Sequence, residues 1–190
     1  MSIQERRERE LGRRERLIVA AARELAETDG WDAVTTRRLA EQVEYSQPVL
    51  YRHFKDKNAI VAAVALDGFA ELAAQLHAAR CAACPRQALG ATSAAYTKFA
   101  DDHPALYDAM FSRAVGLPFA PDEAPAALRA GFAELVETVR PHAADDEPGL
   151  LAETFWAALH GLVVLTRAGR LPRHAHGSRL EILLAHFRRE

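Results

Sequence analysis

Cysteine and glycine are scarce in this sequence, and its apolar runs are short. The two cysteines, Cys81 and Cys84, cannot build the disulfide framework that stabilises small secreted domains. The longest apolar runs, such as AIVAAVAL at residues 59–66, are far below the roughly 18 residues that a membrane span requires. The N-terminus MSIQERRERE is charged where a secretory signal is apolar. We therefore expect a cytoplasmic protein without a membrane segment.

A strong excess of charge of either sign is also missing. The 190 residues carry 24 Lys and Arg against 26 Asp and Glu, a net charge of −2. Because nucleic-acid phosphates attract positive charge, any nucleic-acid site in this chain must be local. Most acidic side chains of residues 1–57 come before residue 33. The basic side chains that follow them are Arg37, Arg38, Arg52, Lys55 and Lys57.

Strand-like alternation does not stand out, and helical spacing takes its place. Hydrophobic residues make up 49% of the chain, with much Ala, Leu, Arg and Glu, a balance typical of all-α proteins. The buried stripe of the first helix is expected to start at Leu17 and Ile18. Proline and glycine divide the chain into about nine helices. The longer ones are expected at residues 9–28, 58–80, 86–102, 104–115, 125–140, 148–168 and 178–189.

Two short helices lie between the first two long ones. Thr35 and Ser46 are typical N-caps, and Pro48 falls in the first turn of the second short helix, where its missing N–H has no intrahelical partner. That helix is expected to bury Val49 or Leu50 and to expose its opposite face. The exposed face would carry Gln47, Tyr51, Arg52 and His53. Two short helices joined by a tight turn predict a helix-turn-helix.

The run TTRRLAEQVEYSQPVLYRHFKDKNAIVAAV, residues 35–64, resembles the DNA-binding head of the TetR/AcrR family of bacterial transcriptional repressors. Within that family it is most similar to the tetracycline repressors, through the segments TTRRLA, QPVLY and HFKDK. The resemblance spans residues 10–65 and implies that Arg37 and Gln47 contact base edges while Pro48 and Val49 pack on thymine methyl groups. Independently, Arg pairs with guanine and Gln with adenine in the major groove. Thr35, Thr36, Tyr51, His53 and Lys57 would hold phosphates, and Arg52 completes the predicted DNA-binding set.

Some positions of the head differ from that pattern. Glu44 occupies a turn position where the family usually has glycine, so this corner is expected to be strained or reshaped. Val49 replaces a polar residue and Arg52 an aromatic one, so the operator sequence of the tetracycline repressors does not transfer. Their drug-binding residues do not match the C-terminal half of this chain either.

The C-terminal half resembles the regulatory domain of a TetR subgroup. The similarity rests on HPALYDAMF at residues 103–111 and on FWAALHGLVVL at residues 155–165, which contains Trp156, His160 and Gly161. It implies an unidentified small-molecule effector. The candidate lining residues are Phe99, Tyr107, Met110, Phe111, Phe132, Trp156 and His160. The same side chains are equally typical of an ordinary helical core, and His160 is either a core histidine or the polar anchor of a ligand.

A thiol or metal sensor, or a helical enzyme, is the alternative function. Cys81 and Cys84 would serve the sensor, but with His77 they give at most three zinc ligands, and small apolar fillers at a helix end fit them better. Motifs of hydrolases, metalloproteases and nucleotide-binding enzymes are missing from the sequence. We therefore expect no enzymatic activity, no metal and no cofactor.

These patterns predict a two-domain, all-α regulator. Residues 1–57 would form a three-helix DNA-binding domain, and residues 58–190 a larger domain for effector binding and dimerisation. As a homodimer the protein would bind double-stranded DNA at a palindromic operator, most simply as a repressor that the effector releases. Helices 148–168 and 178–189 would form a four-helix bundle across the two-fold axis. Helix 58–80 would connect the two domains.

Overall fold

The computed structural model describes residues 2–113, 116–118 and 123–188. Within these ranges the chain forms nine α-helices and no strand, which confirms the all-α prediction. The helices are α1 Ile3–Asp29, α2 Thr36–Gln42, α3 Gln47–His53, α4 Lys57–Ala82, α5 Pro85–Asp102, α6 Pro104–Asp108, α7 Ala126–Val139, α8 Pro148–Arg167 and α9 His176–Phe187. The helix predicted at residues 104–115 becomes α6 followed by a π-helical turn, Ala109–Arg113, and its last two residues lie outside the described ranges.

The chain divides into two compact units. The first unit contains Met1–Gly68 and His103–Pro118, and the second contains Phe69–Asp102 and Phe119–Glu190. This division does not coincide with the boundary expected at residue 57. The start of α4 and the segment around α6 group with the predicted DNA-binding helices, because they pack against α1 and the turn that follows it.

Helix α1 is longer than predicted. It begins at Ile3, where Ser2 forms a capping box: the Glu5 N–H donates to Ser2 Oγ (3.2 Å) and the Ser2 N–H donates to Glu5 Oε2 (2.8 Å). Ile18 and Ala22 are fully buried. Leu17, in contrast, is 46% exposed, so the prediction that it belongs to the buried stripe is wrong. The stripe is narrower than the sequence suggested because only one side of α1 is covered in the first unit.

The short helix α6 is fixed to the first unit by side chains from α1 and the turn after it. The Glu27 carboxylate accepts the backbone N–H groups of Ala105 (3.0 Å) and Leu106 (2.9 Å), which have no partner inside α6. The Trp31 indole N–H donates to the carbonyl of Ala105 at 2.8 Å. At Gly68 in α4, a Cβ atom would stand 2.7–2.8 Å from the side chains of α6 and the π-helical turn. Glycine therefore permits this close approach.

The second unit packs the rest of α4 with α5, α7, α8 and α9. Its core contains Tyr96, Phe99, Phe155 and Leu159, all with no exposed surface. The hydroxyl groups of Thr92 and Thr138, both buried, lie 3.2 Å apart and so satisfy one another between α5 and α7. Large apolar side chains nevertheless stay exposed on the last two helices. They are Leu150, Val164, Leu165 and Ile182.

Two described helices are long and apolar enough to cross a membrane by length and composition alone. These are α4 and α8, with mean hydropathies of 1.6 and 1.4 in their most apolar windows. The expectation of no membrane segment rested only on uninterrupted apolar runs and therefore missed these helices. Single polar residues interrupt the runs but lower the mean hydropathy of the helix only slightly. Half of the α4 window is buried inside the protein, and the core helix of a soluble protein passes the same test. The two helices are therefore weak evidence for a membrane segment.

Candidate nucleic-acid interface

Helix α2 is held by its cap and by a salt bridge to α1. The Thr35 hydroxyl accepts the N–H of Arg38 at 3.2 Å, as its predicted N-cap role requires. The Arg38 guanidinium contacts the Asp29 carboxylate at 2.6 Å, while Leu39 and Ala40 are buried. The remaining face of α2 therefore points to solvent and carries Arg37.

The turn between α2 and α3 has an unusual backbone conformation. Glu44 has a φ of 56°, in the left-handed region that glycine adopts more readily. The turn closes with a hydrogen bond from the N–H of Tyr45 to the carbonyl of Ala40 at 2.9 Å. The strain expected where a residue with a Cβ atom replaces the usual glycine is thus present in the backbone.

Helix α3 begins as the proline predicts. Ser46 has an extended conformation at the N-cap, and its carbonyl accepts the N–H groups of Val49 (2.9 Å) and Leu50 (3.3 Å), although its hydroxyl forms no capping bond. Pro48 lies in the first turn. Leu50 is 1% exposed and Val49 is half-buried, so Leu50 is the core residue of the pair that the sequence left open.

The outward side chains of α2 and α3 form a polar surface, which we call the reading face. It consists of Arg37, Gln47, Pro48, Tyr51 and Arg52, all exposed. Thr35, also exposed, and the partly exposed Thr36 and Val49 adjoin it. The Arg37 side chain is 80% exposed, and its Nε lies 3.0 Å from Glu41 Oε1. Such an exposed pair contributes little stability, so Arg37 can leave it to contact another acceptor.

His53 and Lys57 differ from their predicted placement. The His53 side chain is only 3% exposed, with Nδ1 3.4 Å from Glu15 Oε1, so the prediction that it lies on the exposed face of α3 is wrong. His53 follows the buried Leu50 by three residues, so helical geometry places its ring on the side of α3 that faces α1. The Lys57 ammonium donates to the backbone carbonyl of Trp31 at 2.7 Å and so ties the start of α4 to the turn after α1. Sequence spacing gave no signal for the Lys57 contact, which joins residues 26 positions apart.

The candidate effector residues fall into two groups, one in each unit. In the first unit, Tyr107 and Met110 are buried, and the Tyr107 and Phe111 rings lie 4.6 Å apart. In the second unit, the Trp156 and His160 rings lie 6.0 Å apart. Phe99 is buried there, and Phe132 is half-buried.

Trp156 has a polar partner, Tyr96, which is not among the lining residues predicted from the sequence. Its indole N–H donates to the hydroxyl of Tyr96 at 3.0 Å, and Tyr96 is fully buried. Burial lowers the pKa of His160 below its usual value, so its imidazole is neutral near neutral pH. A neutral imidazole has one donor and one acceptor nitrogen, and both suit a polar ligand group.

The cysteines are not core fillers. Cys81 and Cys84 are both exposed as free thiols at the end of α4, so the filler interpretation is wrong. The described residues contain no group of three or more His, Cys, Asp or Glu side chains arranged to hold a metal ion.

Two family models match the chain. The one described as "Bacterial regulatory proteins, tetR family" matches residues 18–64, and "Tetracyclin repressor-like, C-terminal domain" matches residues 89–187. An uncharacterised HTH-type transcriptional regulator of Mycobacterium tuberculosis is 30% identical over 155 residues, covering 80% of this chain and 69% of the relative. The class G tetracycline repressor of Vibrio anguillarum is 45% identical over 47 residues, covering 25% of this chain and 22% of that repressor.

A solved structure of a protein of unknown function from Rhodococcus sp. RHA1 shares the fold. Its TM-score is 0.73 at 28% identity, and the alignment covers 91% of this chain and 92% of that chain. The all-α fold and the exposed reading face of α2 and α3 are those of a helix-turn-helix DNA-binding transcriptional regulator. The chain belongs to the TetR family of bacterial regulatory proteins, as the family models and the mycobacterial relative show.

Proposed function

We infer that this protein is a ligand-responsive repressor that binds a palindromic operator as a homodimer. The observation that carries this proposal is the reading face. Its polar residues are exposed beside a fully packed Leu50 and Leu39, so the two short helices are rigidly held while their outer side chains stay free to contact DNA. The name of the tetracycline repressor relative supports repression over activation.

Each member of the reading face suits a particular part of DNA. The Arg37 guanidinium can donate two hydrogen bonds to a guanine, and the Gln47 amide can pair with an adenine. Pro48 and Val49 offer apolar surface for thymine methyl groups. Thr35, Thr36 and Tyr51 have hydroxyl groups that donate to phosphate oxygens, and Arg52 neutralises phosphate charge. Lys57 would reach a phosphate only by leaving the Trp31 carbonyl.

Dimerisation explains the exposed apolar side chains of α8 and α9. One small recognition helix buries too little surface for a selective complex, so two copies are needed about one helical turn of DNA apart, roughly 34–36 Å. Leu150 and Ile182 are 63% and 61% exposed in the single chain. Pairing α8 and α9 with those of a second copy would bury them in a four-helix bundle.

An effector would act through differential binding. A ligand that prefers the DNA-incompetent conformation by ~100-fold shifts the equilibrium by about 2.7 kcal/mol per site. Trp156, Tyr96 and His160 supply an aromatic wall and polar groups for a small, largely apolar ligand. Because α4 contributes residues to both units, it is the natural element to transmit the change. A cytoplasmic location follows from this function.

Binding to the promoter upstream of the protein's own gene tests the proposal. We expect fluorescence anisotropy to show binding that weakens steeply with salt, and Arg37→Ala or Gln47→Ala to cost about 1–3 kcal/mol. The matched control is Arg140→Ala, which removes an exposed arginine of the second unit that pairs with Glu137 at 2.8 Å. Equal losses in the control and in Arg37→Ala, or no binding by the unaltered protein at low salt, would contradict the assignment.

A further inference from the structure

A thiol and an imidazole near the end of α4 and a carboxylate on α7 form a hydrogen-bonded series. The Sγ atom of Cys81 lies 3.7 Å from Nε2 of His77. The Nδ1 atom of the same ring lies 2.9 Å from Oε1 of Glu134 on α7. With Arg80, these residues form what we call the thiol cluster, which lies entirely within the second unit.

The carboxylate of the thiol cluster is held in its ionised form. Burial alone would raise the pKa of Glu134, but hydrogen bonds from Arg80 and His77 outweigh burial and lower it. The Arg80 Nε donates to Oε2 of Glu134 at 2.8 Å, which leaves Oε1 for the histidine. An ionised carboxylate only accepts, so in the neutral form of the His77 ring Nδ1 carries the proton and the lone pair of Nε2 faces the thiol.

This arrangement has the parts of an activated nucleophile. A histidine oriented by a carboxylate can remove the proton from a neighbouring thiol, and the thiolate is the reactive form of cysteine. Both cysteines are exposed, so a small reagent can reach them. Cys84 lies in the short connection between α4 and α5, and only two residues separate it from Cys81 in the chain.

We propose that Cys81 is a peroxide-reactive thiol and that Cys84 resolves its oxidised form into a disulfide. This inference goes beyond the proposed repressor function, since no reading-face or effector residue takes part. It predicts a reaction with hydrogen peroxide or an alkyl hydroperoxide.

The chemistry balances with the peroxide as the oxidant. His77 Nε2 takes the thiol proton, the Cys81 thiolate attacks one peroxide oxygen, an S–O bond forms and the O–O bond breaks. The leaving oxygen takes the proton from His77 and departs as water or alcohol, leaving a sulfenic acid on Cys81. The Cys84 thiol then attacks that sulfur, the S–O bond breaks, water leaves and an S–S bond forms.

The two cysteines provide an internal control, because both are exposed and, within the described residues, only the Cys81 thiol lies within hydrogen-bonding reach of a histidine. We expect iodoacetamide to label Cys81 about tenfold faster than Cys84, as measured by peptide mass spectrometry. This rate difference is smaller than the enhancement that general-base catalysis usually gives. His77→Gln should bring the two rates together by slowing only Cys81. Circular dichroism checks the fold of this surface variant, and Glu134→Gln should slow Cys81 in the same way.

Hydrogen peroxide provides the second measurement. The unaltered protein should form the Cys81–Cys84 disulfide, and Cys84→Ser should instead accumulate a dimedone-reactive sulfenic acid on Cys81. Equal labelling of both thiols, no effect of His77→Gln, or oxidation of Cys84 before Cys81 would overturn the proposal. Tight zinc binding that protects both thiols would also overturn it in favour of a metal site.

Discussion

Glu44 is the residue at which the DNA-binding head departs most from ideal backbone geometry. It connects α2 to α3 with a φ of 56°, a conformation that costs a residue with a Cβ atom about 1 kcal/mol more than glycine. Its carboxylate also adds negative charge between two helices that are proposed to face phosphates. Both effects make the side chain unfavourable at this position.

Replacing Glu44 by glycine should therefore stabilise the protein. We expect Glu44→Gly to raise the free energy of unfolding by about 0.5–1 kcal/mol, because glycine relieves the left-handed strain. Chemical denaturation measures this change. The matched control is Glu41→Gly in the last turn of α2, where glycine should destabilise the helix by about 1 kcal/mol and the loss of the exposed Arg37 pair adds little. Destabilisation by both variants would contradict the strain at the corner.

At the scale of elements, α6 depends on a neighbour for its N-terminal hydrogen bonds. Pro104 lacks an N–H, and the next two N–H groups donate to the Glu27 carboxylate of α1. Glu27 is 78 positions from Ala105 and 79 positions from Leu106 in the chain. A five-residue helix cannot be stable alone, so this capping and the Trp31 bond decide where α6 lies in the first unit.

Removing the carboxylate of Glu27 should loosen α6. Glu27→Ala is expected to lower the free energy of unfolding by about 1–2 kcal/mol, since two backbone donors lose their acceptor. Glu27→Gln, which keeps an oxygen acceptor, should lose less. Amide hydrogen exchange at residues 105 and 106 should increase in the alanine variant, while Glu24→Ala on an exposed position of α1 leaves it unchanged. Unchanged exchange in Glu27→Ala would show that α6 does not need this cap.

At the scale of the whole molecule, the second unit exposes large apolar side chains to solvent. Leu150, Val164, Leu165 and Ile182 belong to α8 and α9, and together they form the largest set of exposed aliphatic side chains that the described residues carry on neighbouring helices. Several large exposed aliphatic side chains on neighbouring helices commonly mark a site of protein–protein association. The proposed homodimer would bury them.

A charge on this surface should separate the protomers. We expect Ile182→Arg to convert a dimer into a folded monomer and to weaken operator binding at least tenfold, because buried arginines without partners cost several kcal/mol. Sedimentation measures the mass, and anisotropy measures the affinity. Leu17→Arg, an exposed leucine of α1 in the first unit, is the control for the oligomeric state. A dimeric Ile182→Arg variant would place the interface elsewhere.

Much of the head was predictable because its signals are local. Thr35 and Pro48 mark helix starts within a few residues of themselves, and the spacing of Leu39 and Leu50 separates the buried side from the reading face. The prediction for His53 misapplied the same rule, because this residue follows Leu50 by three positions and therefore shares its buried side, where it approaches Glu15.

The sequence by itself determined the helices, their order and the polar surface of α2 and α3, since periodicity, caps and prolines act over one or two turns. Tertiary structure alone decided which distant groups meet. Glu134 reaches His77 across 57 positions, and this contact places an oriented imidazole beside Cys81. The physical reason is that a hydrogen bond requires two groups within about 3 Å, and for residues far apart in the chain only the packing of helices sets that distance.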